Sequence, residues 1–142
     1  MKKTIIPINF LDLDQGGFHL LVKARINGKP ARLVLDTGAS KTVFDKTRYE
    51  RFVKDATMHK NSETSAGLGT NQMETHTVFV DKLKFGTLII ENYEGIVMDL
   101  SHVNEAYQGR GERQIDGVLG SDILYTYNAI IDYKEEELTL FF

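Results

Sequence analysis

The chain has 142 residues, 42% hydrophobic and 26% charged, the proportions of a domain that buries one core rather than of a disordered or fibrous chain. Seventeen basic residues against 20 acidic ones give a formal charge of -3, with no basic excess to neutralise a phosphate backbone or hold an anionic bilayer, so neither nucleic acid nor a membrane is an expected partner. Cysteine is absent, which removes disulfides, thiolate nucleophiles and cysteine-ligated metals and leaves carboxylates, hydroxyls and four histidines for any chemistry.

Met1-Lys2-Lys3 begins like a secretory leader, but Pro7, Asn9, Asp12 and Asp14 interrupt the apolar segment it would need, so the expected compartment is cytoplasmic. The longest apolar runs, such as Leu88-Ile89-Ile90, fall far short of the ~20 residues of a membrane helix. Residues 4–10 and 18–26 read as strands joined across Asp14-Gln15-Gly16-Gly17. Asn27-Gly28 then supplies a two-residue hairpin turn before Arg32-Leu33-Val34-Leu35, predicting a three-stranded meander. Asp45 is placed to cap a helix carrying Tyr49, Phe52 and Val53 on one face. Further strands are predicted at 72–84 and 87–98 around Phe85-Gly86, and at 128–133 and 137–142 around Lys134-Glu135-Glu136, all with antiparallel connections. Segment 99–114 reads as an exposed loop with a turn of helix after Ser101, and Ser121 or Asp122 opens a short helix through Leu124 and Tyr127. Strands at this spacing, with one or two short helices and no repeat, predict one all-β domain over residues 1–142, a small closed barrel or sandwich.

His19, His59, His76 and His102 are scattered without ligand spacing, so no metal is expected. Gly67-Leu68-Gly69 and Gly117-Val118-Leu119-Gly120 lack the lysine of a phosphate loop and the third glycine of a dinucleotide fingerprint, and no Gly-x-Ser-x-Gly elbow occurs. The informative segment is Leu33-Val34-Leu35-Asp36-Thr37-Gly38-Ala39-Ser40, where three aliphatic residues run straight into a carboxylate, a β-branched hydroxyl and a glycine. An unpaired charge at the end of a buried strand is expensive. The plain alternative is a tight turn in which Asp36 bonds its own backbone. Two other elements accompany it: glycine-rich Ser65-Ala66-Gly67-Leu68-Gly69-Thr70 between strand-like arms, and Ile115-Asp116-Gly117-Val118-Leu119-Gly120 leading into helix-like Ser121-Asp122-Ile123-Leu124.

In this order the three segments resemble the retropepsin family of aspartic proteases, in its non-viral cellular form, from about residue 18 to the C-terminus. The resemblance implies a small closed β-barrel of acid-protease type, active as a two-fold homodimer on an extended peptide or protein substrate, without metal or cofactor. Carried over by position, it makes Asp36 the catalytic aspartate and Thr37 and Gly38 the rest of its loop. Ala39 and Ser40 then line the substrate side, Gly67, Leu68 and Gly69 form the tip of a flap, and Val118 and Leu119 with Gly120 pack behind the loop and beside the substrate. Viral members usually place an arginine after that glycine; Ser121 stands there in this chain. Pepsin-like relatives often carry a serine where Ala39 stands, and alanine donates nothing to the aspartate, which implies a less acidic pair and activity reaching towards neutral pH.

Hydrolysing an amide with water needs a base for the water's proton and an acid for the departing nitrogen. Two adjacent aspartates cannot both ionise, so a pair sharing one proton supplies both functions, as is established for aspartic proteases. The chain holds a single Asp-Thr-Gly, and Asp116-Gly117 lacks the hydroxyl residue between acid and glycine, so the second carboxylate must come from another copy across a two-fold axis. The C-terminal segment 137–142 alternates and ends apolar; it reads equally as an edge paired with that copy or as a strand closing its own barrel against 128–133. Two non-hydrolytic readings stand beside this one. The first is a silent peptide-binding or dimerisation module of the same fold, the second a small β-barrel binding domain whose Asp-Thr-Gly is only a turn.

Overall fold

The structure, a computed structural model, describes residues 1–13, 16–53 and 75–142, and the backbone of 59–60, 65–66 and 72–73. The alternation at 4–10 divides at Pro7, where the chain leaves one sheet for another: β1 (Lys3–Pro7) and β2 (Asn9–Asp12) have different partners. Proline has no N–H with which to continue a ladder, and the Ile8 N–H turns to the Glu136 carbonyl at 2.9 Å. β2, β3 (Phe18–Ile26) and β4 (Lys29–Leu35) form the expected antiparallel meander. Asn27 and Gly28 take φ of 50° and 83°, the left-handed pair that a type I′ hairpin demands.

β5 (Val43–Asp45) follows, then a 3-10 turn at Tyr49–Arg51, the two-residue strands β6 (His59–Lys60), β7 (Ser65–Ala66) and β8 (Gln72–Met73), and the long hairpin β9 (His76–Phe85) and β10 (Leu88–Met98). After α1 (Ser101–Gly109) come β11 (Gly117–Leu119), α2 (Ser121–Thr126), β12 (Ile130–Asp132) and β13 (Glu137–Phe141). Strands β3, β4, β11, β5, β10 and β9 pair in that order, and β9 returns to β3 through Arg25 opposite Lys84 and Ile26 opposite Leu83. This closes the all-β barrel that the turn spacing predicts.

The expected hairpins are antiparallel; β5 and β11, which the sequence does not announce, add two parallel pairings, β11 with β4 and β10 with β5. Two local expectations are corrected. The helix expected after Asp45 is only the 3-10 turn; Tyr49 and Phe52 are buried in the barrel core as their spacing requires. Asp45 ends β5 with a wholly buried carboxylate that accepts the Leu100 N–H at 2.9 Å and the Thr47 hydroxyl at 2.6 Å. Segment 99–114 holds a nine-residue helix rather than a loop. Asn104 and Tyr107 turn inward from it, and the Asn104 amide both accepts the Ile115 N–H (2.7 Å) and donates to the Ile115 carbonyl (3.2 Å).

β13 is the middle strand of a second sheet, ordered β1-β13-β12, with Lys3 opposite Phe141 on one side and Ile131 opposite Leu138 on the other. Both its edges are filled within the chain, so β13 pairs with 128–133 as one of the two readings expected, and β1 and β12 are the outer strands of this sheet. Leu33, Leu35, Leu83, Phe85, Leu119, Leu138 and Leu140 fill the barrel. On the opposite face Leu21, Leu100, Tyr107 and Ile115 form a smaller core beneath α1, with Val34 and Val118 packed against it. Alternation along β4 therefore sends Leu33 and Leu35 inward, Val34 outward, and delivers Asp36 to the barrel's rim. Among the described residues no helix is long and apolar enough to cross a membrane.

Candidate active site

The parallel pair β4 and β11, with Leu33 opposite Gly117 and Leu35 opposite Leu119, ends at the Asp36 loop. The Asp36 N–H donates to the Leu119 carbonyl (3.0 Å), and the Ser121 N–H donates to the Ala39 carbonyl (2.7 Å), so segment 119–121 holds the loop at both ends through backbone alone. Inside the loop the Ala39 N–H bonds the Asp36 carbonyl (3.2 Å) and the Gly38 N–H bonds Asp36 Oδ1 (2.9 Å). The local bond of the plain turn reading is thus present, but it engages one oxygen. Among the described residues Asp36 makes no ion pair, and its carboxylate stands exposed at the end of a strand whose Leu33 and Leu35 are buried.

Thr37, Gly38 and Ser40 are also exposed, while Ala39 is half-buried with both backbone groups used. Asp36 and Thr37 border a cavity of about 380 Å³ whose walls include Phe18, Val34, Val118 and Tyr133. Val118 thereby joins Asp36. Leu119 is fully buried in the barrel core and reaches the loop through its carbonyl only. Gly67, Leu68 and Gly69 lie outside the described residues; β7 and β8 on either side of them pair antiparallel. Asp116 lies at the other end of β11, beyond Gly117, where it accepts the Arg32 N–H (2.9 Å) and Arg48 Nε (2.7 Å). It sits level with Arg32, four residues before Asp36 and so about 13 Å along the strand, too far and too committed to its arginine partners to act together with Asp36.

Sequence reasoning missed the clamp behind the loop. Thr42, wholly buried, donates both its N–H (2.9 Å) and its hydroxyl (2.8 Å) to Asp122 Oδ1, and its hydroxyl oxygen accepts the Gly120 N–H at 3.0 Å. The Tyr93 hydroxyl donates to the other oxygen, Asp122 Oδ2. Burial, and then the bond to Asp122, push the Tyr93 phenol well above its ordinary value, so it remains a protonated donor through the acid and neutral range. Asp122 is the residue after Ser121, so a carboxylate one position on ties the loop to α2 and β10 where viral relatives usually place an arginine. The available signal was a threonine at the head of Val43-Phe44 and an acid in the first turn of α2, each ordinary alone.

A closed barrel whose parallel pair ends in an Asp-Thr-Gly loop, braced from behind by an aliphatic-aliphatic-glycine segment, defines the retropepsin-like class of aspartic protease folds. Solved structures agree. The chain is similar to EIAV protease complexed with the inhibitor HBY-793, at TM-score 0.61 and 21% identity, covering 86% of this chain and 99% of that one. It is also similar to a retropepsin-like aspartic protease from Rickettsia conorii (TM-score 0.59, 18% identity, 98% and 89% covered) and to the retroviral protease-like domain of Ddi1 from Leishmania major (0.54, 19%, 86% and 87%). Among curated proteins none matches. The family profile described as aspartyl protease matches residues 22–123, and the chain belongs to that family.

Proposed function

We propose that the protein is an aspartic endopeptidase, acting as one domain over residues 1–142, in which the Asp36 carboxylates of two copies hold a water between them. One carboxylate, ionised, takes the water's proton as its oxygen attacks the scissile carbonyl; the other, protonated, hydrogen-bonds the developing oxyanion and the shared proton passes on to the leaving nitrogen. The titration belongs to the pair, not to either residue. The observation that carries this reading is an exposed carboxylate, without an ion pair among the described residues, on a loop pinned at both ends, in a chain of the aspartyl protease family. Thr37, exposed beside it, fits a hydroxyl that bonds across to the opposite loop. An extended peptide would add strand-like bonds to such a groove, with Ala39, Ser40 and Val118 on its near side, apolar side chains favoured by the cavity, and the tip at Gly67, Leu68 and Gly69 closing over it.

Dimerisation is supported by the surface around Asp36. A two-fold axis that joins two Asp36 side chains must pass beside them, and the rim there is apolar and open: of the residues that border the same cavity, Phe18 is 51% exposed and Tyr133 66%. Phe10 packs edge-on to both Phe18 and Tyr133. Tyr133→Asp is therefore expected to leave the fold intact, because the side chain is mostly in water, yet to raise the protein concentration needed for half-maximal activity by about tenfold or more. Sedimentation and rate per chain against concentration read this out, and full activity at the wild-type concentration would remove the rim from the interface.

The direct test is digestion of a peptide library between about pH 4 and pH 8 at several protein concentrations. Cleavage with a rate per chain that rises with concentration is expected. Peptide binding without any cutting, by wild type and Asp36→Asn alike, would instead establish a silent binding module, and a strict monomer that neither binds nor cuts would leave Asp-Thr-Gly as a turn. Ala39→Ser adds a hydroxyl donor, which stabilises the ionised carboxylate, lowers the pair's first pKa and moves the acidic limb of the pH profile to lower pH. An unmoved limb would show that residue 39 does not reach the pair.

A further inference from the structure

At the end of the β4 and β11 pair opposite Asp36 lies a larger cavity of about 630 Å³, within the size range of small-molecule sites. Its walls carry Lys23, Arg32, Arg48, Arg51 and Arg113 against Glu112 and Asp116, an excess of three positive charges in a chain whose net charge is -3. Two of these cations are substantially withdrawn from water, with side-chain exposures of 17% for Arg32 and 20% for Arg48. Both are held in fixed orientations. Arg32 donates to the Arg113 carbonyl (2.6 Å) and lies 3.8 Å from Glu112, while Arg48 donates through Nε to Asp116 and through Nη1 to Gln114. Each guanidinium has five N–H donors, so these bonds leave others for a ligand. Asp116 is already shared by Arg48 and, at 3.7 Å, Arg51. Among the described residues neither Lys23 nor the Arg113 side chain has an ion-pair partner.

Arg32 and Arg48, partly withdrawn from water, each have a carboxylate partner, whereas the exposed Lys23 and Arg113 have none among the described residues, so the wall as a whole keeps a positive excess that an anion would complete. We infer that this cavity binds a small multivalent oxyanion, bearing phosphate or carboxylate groups, at a site separate from the Asp36 loop. Pro30 and Ala31 add an apolar wall, so the ligand has room for a carbon body beside its charges.

The test uses the whole chain with two probes, pyrophosphate and citrate, each titrated at matched ionic strength by calorimetry and by amide NMR shifts at residues 31, 32 and 113–116. At least one probe is expected to bind saturably, and the one that binds assigns phosphate or carboxylate chemistry. Lys23→Gln with Arg113→Gln, both exposed and free of structural ion pairs, is expected to weaken that binding by about tenfold or more, the worth of one charge-assisted bond. Asp36→Asn is expected to bind like wild type. No saturable binding of either probe up to about 10 mM, or equal binding by the double variant, would overturn the site.

Discussion

On the proposed reading, Asp36→Asn is expected to lose peptide-bond hydrolysis by on the order of 10^4-fold while keeping its fold, its state of association and its melting temperature. Asparagine retains the shape and the carbonyl oxygen that accepts the Gly38 N–H, and an exposed side chain without an ion pair contributes little to stability. What it loses is ionisation, so no group remains to take the water's proton. The same variant probes the assembly. When wild type and Asp36→Asn are mixed in equal amounts and allowed to exchange, about a quarter of random dimers carry two aspartates, whereas a single-chain enzyme would keep about half of the activity of the same total chain. A mixing curve that falls with the square of the wild-type fraction supports the paired site. A straight line, or a fully active variant, would end the account of two carboxylates sharing a proton.

What the sequence discloses about this site is what lies close together in the chain. Leu33-Val34-Leu35-Asp36-Thr37-Gly38 is legible because strand, acid and turn are adjacent, and Asn27-Gly28 is legible because a two-residue turn has its own chemistry. The brace behind the loop is not, because Thr42 and Asp122 stand 80 residues apart and meet only when β11 inserts between β4 and β5, parallel to the first and antiparallel to the second. Three-residue strands such as β5 and β11 are too short to show a period of two in the sequence. α1 was obscured for a related reason: its inward residues Asn104 and Tyr107 are polar or amphipathic, so an apolar stripe never forms in the sequence. The apolar rim at Asp36 draws Phe10, Phe18 and Tyr133 from opposite ends of the chain, and nothing local announces it.

The second large effect is expected at Gly120→Ala, where the added methyl has no space. A Cβ built there lies 2.6 Å from both the carbonyl carbon and oxygen of Lys41 and 2.9 Å from the Ala39 oxygen. These are backbone atoms of the Asp36 loop, which cannot rotate aside as a side chain would. Segment 39–41 must therefore move, and with it the Ser121 to Ala39 bond and the Gly120 to Thr42 bond that hold the loop in register. The expected cost is about 3 kcal/mol, with a fall in melting temperature of about 10 °C. A displacement approaching 1 Å at the carboxylate is expected to lower kcat/KM by about 100-fold in whatever protein remains folded. Gly38→Ala is the control within the same loop. Its Cβ would meet only Asp36 Oδ1, a side-chain atom, at 3.3 Å, and its φ is not in the left-handed range, so its stability loss should stay below about 1 kcal/mol. Denaturant melts and steady-state kinetics on both variants decide the matter. If Gly120→Ala melts and cleaves like wild type while Gly38→Ala does not, the position of Asp36 is set within its own turn and owes nothing to the segment packed behind it.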